Sequence, residues 1–106
     1  MEVKNFIILP IKIFSANRVF IPQEYLRDYG ISTVFDEIVI NDCEQCLKIT
    51  SIHEDLSAEG KITFIRNGLF YLPFDWTQKN CIKPGNFVFV HGASHEIIIY
   101  KSHNYY

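Results

Sequence analysis

Arg18-Val-Phe-Ile-Pro22 and Leu69-Phe-Tyr-Leu-Pro73 run an apolar, strand-like stretch directly into a proline, twice in one chain. The shift that lays Pro22 on Pro73 also lays Ile31 on Ile82. A shift shorter by one residue lays Glu37-Ile-Val-Ile40 on Phe87-Val-Phe-Val90, and Leu47-Lys-Ile-Thr50 on Ile97-Ile-Ile-Tyr100. Each half therefore reads strand, short helix, strand, turn, strand. A half of about 50 residues buries too little surface to stand alone. The two are expected to interlock into one closed barrel with pseudo-twofold symmetry, which leaves no exposed sheet edge. The expected fold is mainly β with short helices, built from two tandem β-α-β-β repeats in one domain, 1–106. Repeat one covers about 10–50, a linker 51–60, and repeat two about 62–101.

Local chemistry fills in the elements. The runs KIF (12–14), RVFI (18–21), EIVI (37–40) and FVFV (87–90) are β-branched and aromatic, hence strand-forming. A proline opens each helix, where its fixed φ fits and its missing N–H is not needed. In PQEYLRDYG, Tyr25, Leu26 and Tyr29 share one face and leave Gln23, Glu24, Arg27 and Asp28 wet. Gly30 suits the left-handed position after the helix. In the second helix Trp76 replaces Tyr25 as the buried anchor, and Asn80 or Cys81 must end it without a glycine. IKPGN (82–86) is a turn, HGASH (91–95) a hairpin turn, and NDCEQC (41–46) its counterpart in the first half. The polar, acidic linker is expected outside the barrel, and the terminal HNYY is expected to form a tail.

A net charge of −2 argues against a strongly basic nucleic-acid binder but leaves room for a local basic patch. The aromatic share, 15 %, is high enough to fill a core with large side chains. The amino-terminal stretch is interrupted by Pro10 and Lys12 and does not read as a signal peptide. No run reaches the roughly 20 apolar residues of a membrane span. Three cysteines cannot all pair internally and are read as reduced thiols of a cytoplasmic protein.

The pattern resembles the swapped-hairpin (cradle-loop) barrels of the AbrB/MazE/SpoVT superfamily. The stretch NRVFIPQEYLRDYGI (17–31) carries that family's Arg, Ile-Pro, short helix and Gly-Ile, and CIKPGNFVFV (81–90) its Pro-Gly turn, with Asn86 in place of Asp. Two such halves in one chain resemble MraZ. CEQCLKIT (43–50) is similar to the hairpin strand of its first half, and VHGASHEIIIYK (90–101) to the hairpin of its second. The MraZ signature Asp-x-x-x-Arg is reduced here. Phe14 stands at the first acidic position, and Ile65 and Leu69 replace both charges in the second half. The helical segments that follow each MraZ half are also missing. The resemblance implies a DNA-binding transcriptional regulator that works as a homo-oligomer on double-stranded DNA through a strand-loop surface carrying Arg18.

Lys12, Arg27, Lys61 and Arg66 are candidates for further DNA contacts beside Arg18, because arginine and lysine neutralise phosphates and arginine reads guanine edges. Glu24, Asp28, Asp36 and Glu37 would repel phosphates if they shared that surface. The competing reading is a non-enzymatic protein-interaction, assembly or antitoxin-like module that kept the barrel. Aromatic strands could stack single-stranded bases, but in a small barrel they are expected inside. Cys43-x-x-Cys46 has zinc-knuckle spacing, with His91 and His95 in the matching hairpin. It reads instead as a core thiol beside a turn thiol, with no metal and no cofactor. No nucleophile elbow, phosphate loop or His-Glu-x-x-His segment is present, so no catalytic residue is expected. His53, His91, His95 and His103 read as solvated polar residues in turns, linker or tail.

Overall fold

The computed structural model describes residues 8–31, 35–51 and 60–101. Its elements are β1 (Ile8–Lys12), a single helical turn (Ser15–Asn17), β2 (Arg18–Phe20), α1 (Gln23–Asp28), β3 (Phe35–Asp42), β4 (Cys46–Ser51), β5 (Lys61–Arg66), β6 (Leu69–Tyr71), α2 (Phe74–Lys79), β7 (Phe87–Ala93) and β8 (Glu96–Lys101). All eight strands form one antiparallel sheet in the order β1-β7-β8-β4-β3-β5-β6-β2. A bridge between Phe14 and Arg18 joins the two ends, so the sheet is a nearly closed barrel. Among the described residues, no helix is long and apolar enough to cross a membrane.

Read around that near-closed ring, the strand order maps onto itself when the two halves are exchanged. The tight turns correspond as well. Ala16 and Asn17 turn β1 into β2, and Asn67 and Gly68 turn β5 into β6, all four with positive φ. The strands that follow cross over in matched fashion. Ile21 N–H donates to Gly68 O, and Leu72 N–H to Asn17 O, both at 2.9 Å.

Each helix ends in the same way. Ile31 N–H reaches Leu26 O at 3.0 Å and Gly30 N–H reaches Arg27 O at 3.2 Å, while Ile82 reaches Thr77 O at 2.8 Å and Cys81 reaches Gln78 O at 3.1 Å. These are Schellman caps, which require a left-handed residue after the helix. Gly30 supplies it at φ 81, and Cys81 adopts it at φ 59 despite its side chain. Lys83-Pro84-Gly85-Asn86 makes a type II turn, with Gly85 at φ 95. Asn86 Oδ1 closes it by accepting Lys83 N–H at 2.8 Å.

Period-two alternation fills the interior. Ile11 and Ile13, Val19 and Ile21, Ile38 and Ile40, Leu47 and Ile49, Phe70 and Leu72, Val88 and Val90, and Ile97 and Ile99 are all buried. Each helix docks on the hairpin of the opposite half. In α1, the Tyr25 hydroxyl accepts Gly92 N–H at 2.9 Å and donates to Val90 O at 3.3 Å. In α2, Lys79 reaches Asp42 at 3.3 Å and Asn80 Nδ2 reaches Glu44 O at 3.1 Å. Within the core, Asn17 Nδ2 donates to Thr77 Oγ1 at 3.0 Å and ties a turn of one half to the helix of the other.

Four expectations need correction. Each half holds an additional leading strand, β1 or β5, so its order is β-β-α-β-β. Trp76 is fully buried, but Tyr25 is only half-buried, lying against the β7 backbone that its hydroxyl binds. The hairpin turns are shorter than expected. Ladder pairing carries β7 through His91 and Gly92 to Ala93, and carries β3 through Asn41 and Asp42, which leaves Ser94–His95 and 43–45 as the turns. Finally, the strand aromatics do not all lie inside. Phe14, Phe20, Phe64, Tyr71 and Phe87 are 43–54 % exposed. The expectations for the linker, His53, the tail and His103 fall outside the described residues, apart from Ser51 and Gly60 at the linker ends.

Candidate nucleic-acid interface

Charge is segregated on the barrel. The strands β5, β6, β2 and β1 lie side by side and read KITFIR, LFY, RVF and ILPIK. They contain Lys61, Arg66, Arg18 and Lys12 and not one carboxylate. Acidic side chains sit on other elements, including Glu24 and Asp28 on α1, Asp75 on α2 and Asp42 on β3. An acidic chain overall thus carries an arc of positive strands, and a ligand at the surface meets the local field before the net charge.

Register decides which of these cations face the same way, because directly opposed residues project to the same side of a sheet. Arg18 pairs with Tyr71 on one side and bridges Phe14 on the other. Arg66 pairs with Leu69, which in turn pairs with Phe20. Val19, Phe70 and Ile65 point inward, so Arg18, Phe20, Leu69, Tyr71, Phe64 and Arg66 form the outer face. Lys12 is exposed on the outer side of β1, opposite Phe87. Lys61 opposes the buried Ile40 and alternates with Ile62, so it belongs to the other face of β5, at a mouth of the barrel. Arg27 is exposed on α1 between Glu24 and Asp28. Of the five expected contacts, Arg18, Arg66 and Lys12 are brought onto one surface, and Lys61 and Arg27 are not.

Arg18 is half-buried, and among the described residues its enclosed Nε meets no acceptor. One outer row runs Tyr71, Arg18, Phe14, and Phe64 projects from the same outer face on β5, where alternation from the buried Ile65 places it. Glu37 opposes Phe64 at the β3 end of that face and is the acidic boundary of the surface. Two aromatic members of this outer face follow from strand phase. Once Arg18 projects outward, alternation sends Phe20 out with it, and the paired strand sends out Tyr71.

The cysteine–histidine candidate does not assemble. Cys43 N–H donates to Cys46 O at 2.9 Å across the tip of the β3–β4 hairpin. That tip lies near the Tyr100 end of β8, whereas Ser94 and His95 precede its other end. Among the described residues, no group of three His, Cys, Asp or Glu side chains is placed to hold a metal ion. All three thiols are free, and burial, followed by the neighbouring Cys43, pushes the Cys46 thiol above its ordinary range. A thiol raised in this way is a weaker nucleophile at neutral pH.

No family model matches this sequence, and no curated protein matches it.

Proposed function

We propose that this protein is a non-enzymatic, cytoplasmic DNA-binding regulator of the AbrB/MraZ kind, and that it contacts DNA through the outer face of β5, β6, β2 and β1 around Arg18. The observation that carries this reading is the charge segregation, since the outer face of four neighbouring strands presents Lys12, Arg18 and Arg66 and those strands hold no acid. Arg18 and Arg66 act together on one face, and Lys12 extends it. Few cations face outward together, so a single chain binds weakly and the interaction is salt-sensitive. A homo-oligomer that sets several such faces on one DNA supplies the missing affinity.

The test is recovery of DNA from sheared genomic DNA on immobilised protein at low and high salt. Retention at low salt, release at high salt and loss of retention in an Arg18→Ala, Arg66→Ala double variant are expected. Equal recovery by the double variant would contradict the reading.

A second reading is favoured by a separate observation. Phe14, Phe20, Phe64 and Tyr71 expose 43–54 % of their surface on the same face, and contiguous exposed aromatics beside arginine are also characteristic of protein interfaces. On that reading the module assembles with a protein partner, as an antitoxin-like or assembly protein does.

A further inference from the structure

We infer that the outer face of β5, β6 and β2 takes single-stranded nucleic acid, stacking unpaired bases on Phe64, Tyr71 and Phe14 with the Arg18 guanidinium between them. The inference rests on the reading of this arc as a nucleic-acid surface and goes further by naming the form it accepts.

Three observations support it. First, Tyr71, Arg18 and Phe14 form one continuous outer row across β6, β2 and the chain just past β1, and Phe64 projects from the same outer face of the neighbouring β5. Neighbouring strands are about 4.8 Å apart, so Phe14 stands about 10 Å from Tyr71, across Arg18. Every member has a planar group, and a guanidinium stacks on bases as a ring does. Second, the rings are open to solvent, with Phe14 at 43 %, Tyr71 at 51 % and Phe64 at 54 % exposure. Paired bases in a duplex keep their faces covered by their neighbours. A duplex therefore offers these rings only phosphates and groove edges, whereas an unpaired strand offers π-faces that remove the rings from water. Third, the charge is arranged to hold a backbone alongside the bases. Arg66 flanks the row on β5 and Lys12 lies beyond Phe14 on β1, with no carboxylate on the strands between them. Glu37 beside Phe64 repels phosphate and ends the track at β3. Phe20, in the next row over and 45 % exposed, widens the platform.

The test uses fluorescence anisotropy with two labelled probes, a single strand of about 12 thymidines, within the 4–16 nucleotides that a small barrel covers, and a duplex of the same length. Wild type, Tyr71→Ala, Phe64→Ala and Tyr71→Phe are compared, each checked for an unchanged melting transition. The expected result is binding of the single strand in preference to the duplex. Each alanine variant should weaken it about 5- to 150-fold, the loss of one stacked base, and Tyr71→Phe should leave it nearly unchanged. Single-strand binding that ignores both alanine changes overturns the inference. Duplex binding without single-strand binding overturns it too, yet leaves the proposed DNA-binding function standing. If neither probe binds, both fail, and the aromatic row is then assigned to a protein interface.

Discussion

Gly92 donates its backbone N–H to the Tyr25 hydroxyl at 2.9 Å, and this bond fastens the helix of the first half to the hairpin of the second. The Tyr29 ring covers the same glycine so closely that a Cβ there would lie 2.2 Å from it. Gly92→Ala must therefore displace Tyr29 and disturb the docking of α1. A loss of roughly 1–3 kcal/mol, the usual range for overpacking, is expected in urea denaturation. A loss below about 0.5 kcal/mol, the scale of an ordinary surface change, would show that α1 docks without this contact.

The same hydroxyl gives the fold an alkaline sensitivity. Burial raises the Tyr25 pKa above its ordinary value, and the bond from Gly92, which works in the opposite direction, only partly offsets it. The folded state thus holds the phenol proton more firmly than the unfolded chain does. Its contribution is fully present below the ordinary tyrosine pKa of about 10 and is lost as pH rises through the folded value. Tyr25→Phe should flatten that part of the decline in melting temperature above pH 10. At neutral pH it should cost about 1 kcal/mol, one net hydrogen bond. An unchanged alkaline profile would exclude Tyr25 as the source.

Cys81 occupies the left-handed cap position that Gly30 fills in the other half, at φ 59 against 81. A side chain there costs about 1–2 kcal/mol relative to glycine, and the exposed thiol gains no compensating burial. Cys81→Gly should stabilise the protein by about 1 kcal/mol after the added freedom of the unfolded chain is deducted. Denaturation midpoints of the two proteins decide it, and a destabilised variant would mean that the thiol makes a contact worth more than the strain.

Trp76 is completely buried under α2, and among the described residues its indole N–H meets no acceptor. Packing alone therefore carries its contribution. Trp76→Ala should cost roughly 3–5 kcal/mol, enough to unfold a marginal domain. A cost below about 1 kcal/mol would place the ring outside the core.

The barrel was readable because its determinants are local. Pro22 and Pro73, Gly30, the Pro84-Gly85 turn and the alternation around Val19 and Phe70 each specify backbone geometry within a few residues. The surface was less readable because it depends on pairing between distant strands. Nothing near Lys61 reveals that it opposes the buried Ile40, and nothing near Tyr71 reveals that it stands in one row with Arg18 and Phe14. Aromatic residues were expected inside because hydrophobicity predicts burial only on average. Strand phase, fixed here by Arg18 and Val19, overrides that average.

The central claim is that the carboxylate-free arc around Arg18 binds nucleic acid. The most direct measurement is the salt dependence of DNA affinity for wild type and Arg18→Ala, by fluorescence anisotropy on the DNA upstream of the protein's own gene. The account predicts wild-type binding tighter than the 10⁻⁴ M limit of weak non-specific association at physiological salt. In Arg18→Ala it predicts either a loss of roughly 1–3 kcal/mol confined to particular sequences, as for a base contact, or a uniform loss with a salt slope lower by about one unit, as for a phosphate contact. Wild-type binding no tighter than that limit, or tight binding with the same affinity and slope in the variant, would contradict it.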